Sequence, residues 1–158
     1  MRMRAYTVYK ERGMAMLEKA ILLAVKGHMG QVDKGGHPYI LHPLRVMLNC
    51  KSTEAKTVAV LHDILEDTPM TAEELRKEGF SEEIIEALQC LTKPKKQDYM
   101  KYIETVCRNP LAAQVKYADL TDNMDLSRLT EVTERDLRRV EQYKKAKQRV
   151  VQALQERE

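Results

Sequence analysis

The residues best suited to chemistry lie together at 59–68, Ala-Val-Leu-His-Asp-Ile-Leu-Glu-Asp-Thr. His62 and Asp63 are adjacent, and a second acidic pair, Glu66 and Asp67, follows one helical turn later. Val58, Ala59, Val60, Leu61, Ile64 and Leu65 around them are apolar, so the stretch reads as a buried helix carrying four polar side chains. At 3.6 residues per turn, His62 and Glu66 share one face, and Asp63 and Asp67 share the adjacent face. Burying three carboxyls and an imidazole is unfavourable unless something pairs with them, and a divalent metal would do so.

The adjacent pair can supply only two ligands, so others must come from outside this helix. His28, His37, His42 and an aspartate from the segment after Pro110 are the candidates. Asp119 is the best carboxylate, set among Val115, Ala118 and Leu120 with Lys116 and Asn123 one turn to either side. Two imidazoles and two carboxylates suit Mn²⁺, Fe²⁺ or Zn²⁺ better than Ca²⁺, and leave open positions for water and substrate.

The elements that must position these groups are helical. Leu17, Ala20, Ile21, Ala24, Val25 and His28 follow helical spacing up to Gly30. A loop with Gly35, Gly36 and Pro38 comes next, and Ile40 to Cys50 can form a second helix with Pro43 near its start and His42 at or beside the first turn. Ser52 or Thr53 can cap the helix running through Asp67. Thr71 to Glu74 is a capping box for a short helix closed by Gly79, and Ser81 caps another. Helices are expected from about Asp98 to Cys107, from Pro110 onward, and from Thr133 to about Leu154. Residues 1–12 form an arm or a short first helix, 13–130 the core and 131–158 a C-terminal helix, all in one all-α domain.

Composition agrees with that class. The 158 residues are 43% hydrophobic and 32% charged with six Gly and five Pro, and no alternating Val/Ile runs support a sheet. A net charge of +3 is too small an excess to require nucleic acid or an anionic membrane. Cys50, Cys90 and Cys107 are odd in number and widely spaced, which reads as reduced thiols in a cytosolic protein. The apolar run Ala20 to Val25 is too short to span a membrane.

The order His, then His-Asp, then a distant Asp resembles that of the HD metal-dependent phosphohydrolases. Three blocks are similar to the hydrolase domain of the Rel/SpoT alarmone enzymes and their small free-standing relatives. They are Gln31-Val32-x-Lys34-x-Gly36-x-Pro38-Tyr39-Ile40-x-His42-Pro43, Leu61-His62-Asp63-x-x-Glu66-Asp67-Thr68 and Val115-Lys116-x-Ala118-Asp119-x-x-x-Asn123. The resemblance spans roughly residues 14–130 and implies a compact HD-type helical bundle. It implies His42, His62, Asp63 and Asp119 as metal ligands, with Mn²⁺ the usual ion. It gives Glu66 and Asp67 the work on water and protons, puts Lys34 in the loop that meets the nucleotide, and sets Asn123 beside the substrate. The implied reaction removes pyrophosphate from the 3′ position of guanosine tetra- or pentaphosphate (ppGpp or pppGpp).

General chemistry fits the same roles. A bound metal lowers the pKa of its water and neutralises phosphate charge, and a carboxylate pair one turn from the ligands suits general acid–base work. Two departures stand out: Asp33 where those enzymes carry arginine, and Leu120 where they carry arginine after the distant aspartate. The chain is also too short to hold a synthetase domain. Other expectations are a phosphatase of another phosphorylated nucleotide or dinucleotide, or a non-catalytic nucleotide sensor, against which Glu66 and Asp67 argue. His28 is expected to pack or hydrogen-bond, and His37 to face solvent. The turn Lys93–Lys96 and the basic C-terminal stripe (Arg135, Arg138, Arg139, Lys144, Lys145, Lys147, Arg149) are expected to be solvated.

Overall fold

The computed structural model describes the chain from Val8, with side chains from Met16 onward. The helical segments are α1 (Val8–His28), α2 (Leu41–Leu48), α3 (Thr53–Leu61), α4 (Ile64–Asp67), α5 (Ala72–Lys77), α6 (Glu82–Leu91), α7 (Tyr99–Cys107), α8 (Pro110–Asn123) and α9 (Glu134–Gln155). Among the described residues, β pairing is limited to one isolated bridge between Val32 and Pro38. The fold is all-α. Of residues 1–12, 8–12 belong to α1 and the rest lie outside the described residues.

Short-range chemistry sets the helix starts. Ser52, Ser81, Asp98 and Asn109 each accept a backbone N–H from the third residue on, and Thr71 and Thr133 form capping boxes with Glu74 and Asp136. Each such cap stabilises its helix by about 1 kcal/mol. Gly30 and Gly79 follow α1 and α5 with φ of 83° and 99°, where a side chain would be strained.

Helix α3 is the centre. Val58, Ala59, Val60 and Leu61 are fully buried, which requires neighbours on every side, and α1, α2, α6 and α8 provide them. Helix α9 packs on α7 and α8. It does so mainly through Ala146, Val150 and Ala153, while Leu137 in its first turns is exposed. The three cysteines are unpaired, and none of the described helices is long and apolar enough to cross a membrane.

The structure corrects one expectation at the heart of the chain. The stretch 53–67 is two helices, broken at His62 and Asp63. The cause is local. His62 Nδ1 lies 2.6 Å from the Ala59 carbonyl, the acceptor that the Asp63 N–H would need to continue the helix. Asp63 instead sits at φ −100°, ψ 0°. The single turn of α4 then points outward, so Glu66 and Asp67 are exposed where a continuous buried helix would have enclosed them.

Candidate metal centre

The break makes the site. Adjacent residues on a continuous helix point about 100° apart, and the break turns these two towards each other. Here His62 Nε2 lies 3.0 Å from Asp63 Oδ2. The first turn of α2 brings in His42, whose Nε2 is 3.3 Å from His62 Nε2 and 3.7 Å from Asp63 Oδ2. From α8, Asp119 places Oδ1 2.9 Å from His42 Nε2 and 3.2 Å from His62 Nε2. Three helices and one helix break therefore meet at a single point. His42, His62 and Asp119 are buried, and Asp63 is half-buried.

The donor chemistry fits a cation. The Ala59 carbonyl can only accept, so His62 Nδ1 carries its proton and leaves Nε2 with a lone pair. His42 Nδ1 lies 2.6 Å from Asp122 Oδ2, and Arg45 holds that carboxylate with two bonds of 2.8 and 3.0 Å, so this ring too presents a bare Nε2. Two lone pairs and two carboxylate oxygens facing one another repel unless positive charge lies between them. Protonation shows the same demand. Burial opposes charge on both imidazoles, yet Asp119 and Asp122 raise His42, and Asp63 and Asp119 raise His62, above the usual histidine value. Burial likewise opposes ionisation of Asp119, but Lys116 and the two histidines hold it well below the usual carboxylate range.

A surrounding layer orients these groups. Lys116, a buried cation, donates to Asp119 Oδ2 at 2.8 Å, and Asn123 donates to Asp119 Oδ1 at 3.1 Å. The two residues flanking Asp119 by one turn thus grip its carboxylate from both sides. Tyr39 donates its hydroxyl to Asp63 Oδ2. Arg128 donates to the Asp122 carbonyl at 2.9 Å and lies 3.3 Å from its carboxylate. Second partners of this kind fix ring tautomers and ligand orientation in metal sites.

Glu66 and Asp67 form a separate acidic group with Asp63, their ligand atoms within 4.8 Å of one another. Partial desolvation and the Asp63 charge raise both carboxyls above their ordinary values, against the Lys93 N–H that lowers Glu66. That N–H reaches Glu66 Oε1 at 3.0 Å. The basic turn therefore touches the site through its backbone, not its ammonium groups.

Beside the centre lies an open cleft of about 140 Å³. Lys34, Tyr39, His42 and Asn123 line it, as do Asp33 and Asp125. Asp33 Oδ1 accepts the N–H groups of Gly35 and His37, both at 2.9 Å, so one carboxylate oxygen staples its own loop. Arg139, Val140 and Tyr143 of α9 complete the wall, which places one residue of the supposedly solvated stripe at the site. His28 is buried with a hydrogen bond to Gln31, and His37 is exposed; neither joins the ligand cluster. Sequence reasoning missed Asp122, Arg45, Arg128 and Arg139. Asp122 and Arg45 could have been found, since each lies three residues after a ligand on the same helix face. Arg128 and Arg139 carry no such signal, because only the fold brings them near.

No family model matches the chain. A guanosine-3′,5′-bis(diphosphate) 3′-pyrophosphohydrolase of Aquifex aeolicus is 34% identical over 120 residues, covering 68% of this chain and 17% of that protein. The bifunctional (p)ppGpp synthase/hydrolase SpoT of Escherichia coli is 30% identical over 135 residues, 75% of this chain and 19% of SpoT. The chain thus spans less than a fifth of these curated relatives. A solved structure of a metazoan ortholog of SpoT, a protein that hydrolyses ppGpp, superposes with a TM-score of 0.70 at 25% identity. That match covers 89% of this chain and 85% of the other. The helical order, the converging His-His-Asp cluster and these relatives agree: the chain carries an HD hydrolase domain of the Rel/SpoT kind.

Proposed function

We propose that the chain is a metal-dependent phosphohydrolase that removes pyrophosphate from the 3′ position of guanosine tetra- or pentaphosphate. His42, His62, Asp63 and Asp119 would hold the ion, and Mn²⁺ suits their mixed nitrogen and oxygen donors. The observation that carries this reading is the meeting of two bare Nε2 atoms and two carboxylate oxygens beside an open cleft lined by Lys34 and Asn123. When bound, a divalent ion supplies a Lewis acid for the phosphate and acidifies its water.

The chain's own residues do the rest. Glu66 and Asp67, with carboxyl pKa values raised towards the working range, take a proton from the attacking water and return one to the departing 3′ oxygen. Among the described residues, Lys34 and Arg139 line the cleft without a carboxylate partner and can meet the substrate's other phosphates. Asn123 both steadies Asp119 and faces the cleft, so it touches substrate and ligand shell together. A reading with another phosphorylated nucleotide as substrate is favoured by one observation, the acidic Asp33 in the loop beside Lys34. The protein would work in the cytoplasm on a small nucleotide, without nucleic acid or membrane.

Purified protein with Mn²⁺, screened against ppGpp, pppGpp and a panel of other nucleotides while following phosphate and pyrophosphate, tests both readings. Pyrophosphate from ppGpp is the expected product. Turnover of another nucleotide alone transfers the proposal to that substrate, and no turnover of any, with no metal bound, removes it.

A further inference from the structure

Outside the ligand set, one polar chain leads from buried His28 at the end of α1 to the acidic turn. His28, the last residue of α1, is 1% exposed, and its Nδ1 lies 2.9 Å from Gln31 Oε1. The Gln31 Nε2 donates to the backbone carbonyl of Asp67 at 3.1 Å. The direction of this chain is forced. A carbonyl can only accept, so the Gln31 amide must turn its nitrogen to Asp67 and its oxygen to His28, and His28 Nδ1 must carry the proton. Gln31 is itself pinned by backbone bonds, its N–H to the His28 carbonyl at 3.0 Å and its carbonyl to the Tyr39 N–H at 2.9 Å.

The turn that receives this bond cannot stand alone. Helix α4 has four residues, too few to be stable without outside contacts, and its last carbonyls have no helical partner. Gln31 satisfies one of them at the residue that bears a proposed acid–base carboxylate. Gly27 lets α1 come this close: a Cβ there would stand 3.1 Å from Thr68 Cγ2 and 3.4 Å from Ile64 Cγ1.

We infer that the His28–Gln31 pair is a clamp that positions Asp67, and through it the acid–base pair, relative to the ion site. Gln31 is the positioning residue and His28 sets the orientation of its amide. This rests on the hydrolase reading for its catalytic meaning and on geometry alone for the clamp. Gln31→Ala removes the donor. Gln31→Glu keeps the volume but turns a carboxylate oxygen towards the Asp67 carbonyl.

Both variants should keep the metal stoichiometry of the wild type. Both should lose kcat by about 10-fold or more with KM little changed, because a misplaced catalytic group lowers the rate of chemistry. Amide hydrogen exchange across 63–68 should be faster in both. A Gln31→Glu variant with wild-type kcat and exchange would reduce Gln31 to space filling and overturn the inference. Unchanged exchange in Gln31→Ala overturns it as well. Should the wild type turn over no nucleotide, the hydrolase reading falls, and exchange at 63–68 still decides whether the clamp exists.

Discussion

Asp63 and Glu66 stand three residues apart and should fail in different ways. Asp63→Ala removes a carboxylate that lies 3.0 Å from His62 Nε2, so bound metal and activity should disappear together, as elemental analysis and a Mn²⁺ thermal shift will read. Glu66→Gln leaves that cluster intact and should keep the metal while losing rate, on the order of 10²-fold. Equal metal loss in both variants would place Glu66 among the ligands. Asp33 calls for a milder substitution than arginine, because its Oδ1 holds the N–H groups of Gly35 and His37. Asp33→Asn retains an acceptor there and removes one negative charge from the cleft. For a polyphosphate, KM should fall by about fivefold, the equivalent of ~1 kcal/mol at contact distance in a high-dielectric cleft. A rise in KM would show that the carboxylate helps to bind the substrate.

At the scale of elements, the cleft depends on the 33–37 loop lying close to the segment after α8. Gly35 is the contact point: a Cβ there would fall 2.8 Å from the Arg128 carbonyl and 2.9 Å from His37 Nδ1. His37 is an exposed side chain and can move, but the Arg128 carbonyl belongs to the backbone. Gly35→Ala should therefore push the loop off the cleft wall, at about 1–3 kcal/mol of local overpacking. The ion cluster does not include this loop's glycines, so metal binding should be unchanged while KM for the nucleotide rises on the order of tenfold. Metal titration beside steady-state kinetics separates the two. An unchanged KM would mean that substrate does not lie along this wall.

For the whole molecule, α3 links the core to the site, because its buried run ends at Leu61 and the next residue is His62. Leu61→Ala should destabilise the fold by about 2–5 kcal/mol. Saturating Mn²⁺ should add stability to both wild type and variant, about 2.7 kcal/mol at a hundredfold excess over Kd. Denaturant titrations with and without the ion give both quantities. If the variant folds but gains nothing from Mn²⁺, then packing below His62, and not only the donor atoms, sets the affinity.

The linear sequence determined the helical class, most helix starts and the candidate donor set. Caps at Ser52, Thr71, Ser81 and Thr133 act within three residues of themselves, and the three motif blocks carry the proposed ligands in fixed order. Lys116 and Asn123 could be placed beside Asp119 because helical spacing alone makes them its neighbours. The break of α3 at His62 has a local cause that hydrophobic periodicity does not report: the periodicity runs unbroken through that point, and the interruption comes from one imidazole N–H taking one carbonyl at 2.6 Å. Only the tertiary structure decided which of the basic residues serve the cleft. Arg45 and Arg128 are held by Asp122, whereas Arg139 reaches the cleft wall because α9 packs on α8. Sequence spacing reports neighbours along a helix; pairing across helices depends on how the helices pack, and that is a property of the whole chain.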